Sequence, residues 1–158
     1  MLAVAMLVPA GAAACCLVAD PHRRSSRVWF PVALMMLAMV DSALIGAVPG
    51  LLWAAALVGA AMTSALAGRM AGGADAMQLH RAVAGVVMAV LLVGMPGGDS
   101  VGGHDHGLGL VTVSAFAVVG FTVAGVWIAS QEWRRGRRVL AAEPVLMALS
   151  LGLMWLGH

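Results

Sequence analysis

Apolar residues fill this chain in six long blocks, each closed by a short polar or turn-forming break. The blocks lie at about residues 2–19, 28–48, 51–68, 76–95, 108–129 and 139–157. Each approaches the roughly 20 mostly apolar residues that carry a helix across a bilayer. Membrane β-strands instead alternate apolar and polar positions over about 10 residues. These blocks are continuously apolar and longer. The pattern predicts an all-α fold: a polytopic transmembrane bundle of six spans, with residues 1–158 forming one integral-membrane domain.

The breaks carry turn chemistry. Asp20 to Arg27 closes the first block, Pro49-Gly50 separates the second from the third, and Gly72 to Asp75 precedes the fourth. Pro96 to Gly98 closes the fourth, and Gln131 to Arg138 divides the fifth from the sixth. Such Gly, Pro and polar clusters end periodic segments. Pro31 and Pro144 are expected in the first turns of their helices, where a missing N–H costs little. Pro9 falls inside the first block and is expected to kink it.

Charge orients the bundle. The 9 basic residues are all arginines. Arg23, Arg24 and Arg27 follow the first block, Arg69 and Arg81 flank the third connection, and Arg134, Arg135, Arg137 and Arg138 fill the fifth. The second and fourth connections have none. Basic loops stay in the cytoplasm. The N-terminus, the C-terminus and the even connections are therefore expected outside a bacterial plasma membrane. The cluster Arg134 to Arg138 also suits anionic lipid. Trp29, Trp53, Trp133 and Trp155 fall near block ends, the usual depth of an amphipathic ring, while Trp127 lies farther in.

Composition narrows the classes. Hydrophobic residues make up 62% of the chain and charged residues 10%, and the mean hydropathy is +0.98. Soluble domains carry about 45–50% apolar and about 25% charged residues. A soluble globular domain, a disordered chain and a nucleic-acid-binding arm are excluded as readings of the whole chain. The first block lacks a basic n-region and reads as a mature helix, not a cleaved signal. Cys15 and Cys16 are adjacent and read as small packing residues.

Candidate chemistry follows from methionine, which occurs 12 times. Blocks two, four and six carry it at helical spacing beside a polar or ionisable group. Met35 and Met39 are four apart and precede Asp41. Met77, His80, Ala84, Met88 and Met95 form one stripe, and Glu143, Met147, Ser150, Met154 and His158 another. Blocks one, three and five lack this arrangement, which hints at repeated helix pairs. Asp41 lies about 20 Å along its helix, counted from Val28 at roughly 1.5 Å per residue. A carboxyl group at that depth is a functional-site hypothesis, with His158 or a loop histidine, the helix backbone or Ser42 as partner. His80 and Glu143 are the other ionisable groups within the blocks, nearer the cytoplasmic surface. Arg81 is expected to snorkel outward and to pair structurally with Glu143. Small residues recur at four-residue spacing, as Ala55, Gly59 and Thr63 and as Gly120 and Ala124. Such spacing lets membrane helices approach closely.

The stretches HRAVAGVVMAVLLVG, EPVLMALSLGLMWLG and PVALMMLAMVDSALIG, spread over residues 28–157, are loosely alike. In these stretches the chain resembles a family of small, uncharacterised, Met- and His-bearing multi-pass membrane proteins of actinobacteria, grouped as a domain of unknown function. That family often carries a His near the start of more than one Met-bearing helix. Here His80 holds that place in block four, and Glu143 replaces it in block six. The resemblance implies a membrane bundle and no activity.

Two functional readings stay open. In one, the chain is a non-catalytic accessory or assembly component of a plasma-membrane complex, contacting lipid and either other membrane subunits or copies of itself, with no nucleic-acid partner. No nucleophile has an evident histidine beside it, so an enzyme is not expected. In the other, the chain binds or transports a soft metal, copper as Cu(I). Thioether sulfur suits Cu(I), and imidazole suits both copper states. His104, His106 and His158 would capture the ion, while Met95, Met154, Met39, Met88 and Met147 would pass it and Asp41 would balance charge. Methionine also packs irregular cores, and His104-Asp105-His106 in a glycine-rich loop also reads as solvated surface.

Overall fold

The computed structural model describes residues 2–19, 26–70, 72, 76–94 and 107–157. Among these residues there are six helices and no strands. They are α1 (Leu2–Ala19), α2 (Ser26–Val40), α3 (Gly50–Met70), α4 (Ala76–Gly94), α5 (Gly107–Arg134) and α6 (Arg138–Leu156). One π-helical turn, Asp41–Ile45, prolongs α2. Four helical segments are long and apolar enough to cross a membrane: Gly50–Met70, Ala76–Gly94, Val111–Arg134 and Arg138–Leu156. The apolar stretches Leu7–Cys16 and Trp29–Ile45 are shorter.

Three local details differ from expectation. The α-helical part of α2 stops at Val40, because the chain widens into the π turn and reverses through Gly46 at φ 63°. That left-handed conformation costs glycine little. Second, α5 continues to Arg134, past the predicted end near 129, so Glu132 and Trp133 remain helical. Third, Pro31 and Pro144 do not lie in first turns. Helix α2 already begins at Ser26 and α6 at Arg138, so each proline stands in the second turn. Each there removes an N–H that would otherwise bond four residues back.

The helices close into one bundle. Helix α6 packs between α1 and α5, α4 between α3 and α5, and α2 rests on α3, α4 and α1. Helices α4 and α6 also touch directly. Glycines fix two registers. A Cβ on Gly50 would stand 2.9 Å from the Leu92 carbonyl oxygen, and one on Gly68 would stand 3.0 Å from Gln78 Oε1. The two ends of α3 thus meet opposite ends of α4, and the pair is antiparallel. Gln78 Nε2 donates to the Ser64 carbonyl across the same contact. Helices α5 and α6 are antiparallel as well: Trp155 Nε1 donates to Ser114 Oγ at one end, and Gly125 lies beside the Pro144 carbonyl nearer the other.

Among the four long helices, α4 and α6 lie inside and α3 and α5 outside. Of the apolar window in each span, 61% of α4 and 44% of α6 are buried, against 22% of both α3 and α5. The stripes of the even helices face this interior. Met35 and Met39 are buried, as are Met77, His80, Ala84 and Met88, and Glu143, Met147, Ser150 and Met154. The small-residue tracks point the other way. Ala55, Gly59 and Thr63 on α3, and Gly120 and Ala124 on α5, are all exposed. A Cβ on Gly59 or Gly120 would meet nothing within 4 Å.

Candidate functional site

Two places in the interior gather buried polar groups, and they share Glu143. The first joins α4, α5 and α6. Arg81 and Glu143 form a bidentate pair, Nε to Oε1 at 2.6 Å and Nη2 to Oε2 at 2.7 Å. Their side chains are only 5% and 3% exposed. Arg81 therefore does not snorkel. Glu143 stands on the adjacent helix at the height of the guanidinium, and two parallel charged hydrogen bonds match the planar fork. Next to Arg81, the His80 ring stacks on Phe121, with centroids 4.2 Å apart and planes 11° from parallel. Its Nε2 is buried and has no hydrogen-bond partner among the described residues. Gly125 makes room for this ring. A Cβ there would stand 3.2 Å from both His80 Cε1 and the Pro144 carbonyl oxygen.

The second place lies between α1, α2 and α6. A cleft there is lined by Ala10 and Ala13 of α1, by Val32, Met35, Met36 and Met39 of α2, and by Glu143, Met147, Ser150 and Leu151 of α6. The space that a water's centre can occupy is about 30 Å³. That holds roughly two waters or one bare ion. Four thioethers border it. Glu143 is shared by both places, facing the cleft while its oxygens hold Arg81. The Ser150 hydroxyl donates to the Leu146 carbonyl, which leaves the oxygen's acceptor capacity.

Asp41 belongs to neither place. It is 6% exposed, and its oxygens accept from the backbone N–H groups of Ala47 and Val48 at 3.1 Å each. Trp53 Nε1 donates to the same carboxyl at 2.7 Å. Ser42 does not take part, because its hydroxyl donates to the Ala38 carbonyl. Asp41 thus ties the α2–α3 connection together. The backbone reversal at Gly46 brings two free N–H groups back to the carboxyl, and the first turn of α3 brings the indole.

The remaining candidates divide plainly. Met39 and Met147 border the cleft, joined by Met35 and Met36. Met88 and Met154 are buried in the adjoining apolar core and do not line it. Met95, His104, His106 and His158 lie outside the described residues, so the expected outer capture site and any His158 partnership with Asp41 lie there too. Among the described residues, no three His, Cys, Asp or Glu side chains gather where they could hold a metal. Cys15 is exposed and Cys16 half-buried, both as free thiols.

Outside the core, the α5–α6 turn neutralises part of its own charge. Glu132 pairs with Arg135 at 3.0 Å and with Arg137 at 2.7 Å, and the Arg138 guanidinium lies 5.4 Å from the centroid of the Trp133 ring. Together these features describe an all-helical protein with four membrane-length apolar helices and an apolar, methionine-rich interior that holds a buried ion pair. No family model matches the chain, and no significant similarity joins it to a curated protein or a solved structure.

Proposed function

We propose that the chain is a six-span protein of the bacterial plasma membrane, with both termini outside, and that it serves as a non-catalytic assembly component of a larger membrane complex. The topology is supported by the arginines, which accompany the odd connections apart from Arg81, buried within α4. The glycine-set antiparallel pairs α3–α4 and α5–α6 are in keeping with it.

One observation carries the assembly reading: the outward track Ala55, Gly59, Thr63 on α3. Small residues at this spacing let two membrane helices approach closely enough for extensive van der Waals contact. Among the described residues nothing packs on the track, since its three residues are exposed and Gly59 has open space beyond its Cα. A lipid-only face gains nothing from this arrangement. The partner surface is a membrane helix with a similarly shallow face, on another subunit or on a second copy.

A photo-crosslinking amino acid at Thr63 tests this in native membranes. Discrete protein adducts at Thr63, absent when the same probe replaces Val126 on the lipid side of α5, are the expected result. Lipid adducts alone at both positions would refute the reading.

A further inference from the structure

We infer that the cleft between α1, α2 and α6 is a binding site for a soft monovalent metal ion, Cu(I) or its analogue Ag(I), ligated by the thioethers of Met35, Met39 and Met147. The inference is independent of the assembly reading, since the cleft lies inside the bundle and the small-residue track outside it.

Ligand type comes first. The wall is built by four methionines against two residues with oxygen-bearing side chains, Glu143 and Ser150. Ca²⁺ asks for six to eight oxygens, and Mg²⁺ holds its water shell tightly. Neither is offered enough here. Thioethers are soft, neutral ligands that select Cu(I) over hard cations. Met35, Met39 and Met147 are 8%, 2% and 7% exposed, so their sulfurs are largely shielded from competing water. They come from two helices, α2 and α6, so an ion between them would bridge elements that otherwise touch little.

Charge comes second. A cation in a nearly dry cleft needs a negative potential. Glu143 lines the cleft, and Arg81 does not. The carboxylate is therefore the nearer charge of the buried pair. Because both carboxylate oxygens are already engaged by Arg81, Glu143 acts through its field while the sulfurs make the bonds. Size agrees, since about 30 Å³ leaves room for one bare ion.

The test uses full-length protein in detergent under reducing conditions, with Cu(I) contested by a chromogenic Cu(I) chelator. Wild type is expected to retain a single Cu(I). The M35L/M39L/M147L variant should lose it, since leucine keeps the volume and removes the sulfur. M88L/M154L, altered only in the packing core, and H104A/H106A, altered between α4 and α5 in the sequence, should retain it. Wild type that yields all its copper to the chelator, or a triple variant that keeps as much as wild type, would overturn the proposal. Should the triple variant fail to fold, X-ray absorption on copper-loaded protein with Cys15 and Cys16 replaced by serine decides: a first shell of sulfur supports the site, and one of nitrogen or oxygen refutes it.

Discussion

Arg81 and Glu143 meet fork to fork between α4 and α6, with both charged hydrogen bonds under 3 Å and both side chains buried. Such a pair contributes little net stability compared with apolar residues of the same volume, yet removing one partner is severe. Arg81→Ala and Glu143→Ala should each lower stability by about 3–5 kcal/mol, because each strands a charge in the interior. The double variant Arg81→Met, Glu143→Met should recover most of that loss. Denaturant unfolding in detergent, followed by circular dichroism, reads all three. Equal destabilisation of single and double variants would show that the pair is not the unit that matters.

Asp41 and Trp53 should behave as a coupled pair. Asp41→Ala removes the acceptor of three hydrogen bonds, and Trp53→Phe removes one donor. Each should lower the thermal midpoint, with the double variant less destabilised than the sum of the two. Strict additivity in this cycle would mean that the indole contact is not made.

Gly125 and Gly120 provide a matched contrast on one helix. Gly125→Ala places a Cβ 3.2 Å from both His80 Cε1 and the Pro144 carbonyl oxygen. Overpacking of this kind costs about 1–3 kcal/mol. Gly120→Ala meets nothing within 4 Å and should leave the midpoint unchanged or raise it slightly through better helix propensity. Parallel melts of the two variants are sufficient.

Gly59→Leu separates fold from assembly. The open space at this position predicts a stability change within about 0.5 kcal/mol, as for substitutions away from packed features. The same change fills the groove of the α3 track. The apparent mass in mild detergent should therefore drop to that of the single chain, read by light scattering.

Cysteine labelling fixes the sidedness. With Cys15 and Cys16 replaced by serine, Asp99→Cys should react with an impermeant maleimide on intact cells. Arg135→Cys should react only after permeabilisation. The reverse pattern would invert the proposed topology.

Much of the architecture was legible in the residue pattern, because in a bilayer every backbone polar group must be satisfied within its own helix. Apolar blocks and their breaks therefore set helix ends closely: Gly50–Met70 was expected at 51–68 and Ala76–Gly94 at 76–95. The Met and ionisable stripes also marked the inward faces of α2, α4 and α6. What the pattern did not reveal depends on backbone geometry or on cross-chain height. The partners of Asp41 arise from a π turn and a left-handed glycine, which no periodicity announces. The inward turn of Arg81 requires Glu143 at matching height. Spacing alone marked the Ala55, Gly59, Thr63 track but could not say whether it faced the core. Met35 and Met36, both absent from the candidate ligands, border the cleft with Met39, and for Met36 the doublet was the one visible sign.

The ion pair also imposes a timetable on biosynthesis. Arg81 and Glu143 are 62 positions apart in the chain, so the ribosome delivers the cation well before its counter-ion. At about 5–20 residues per second the delay is roughly 3–12 seconds. During that interval the fourth helix holds a lone guanidinium that hydrocarbon disfavours. It must wait at the lipid headgroups or inside the insertion machinery until the sixth helix emerges. A nascent chain halted after α5 therefore still carries an unpaired Arg81, and completion of α6 supplies its counter-ion.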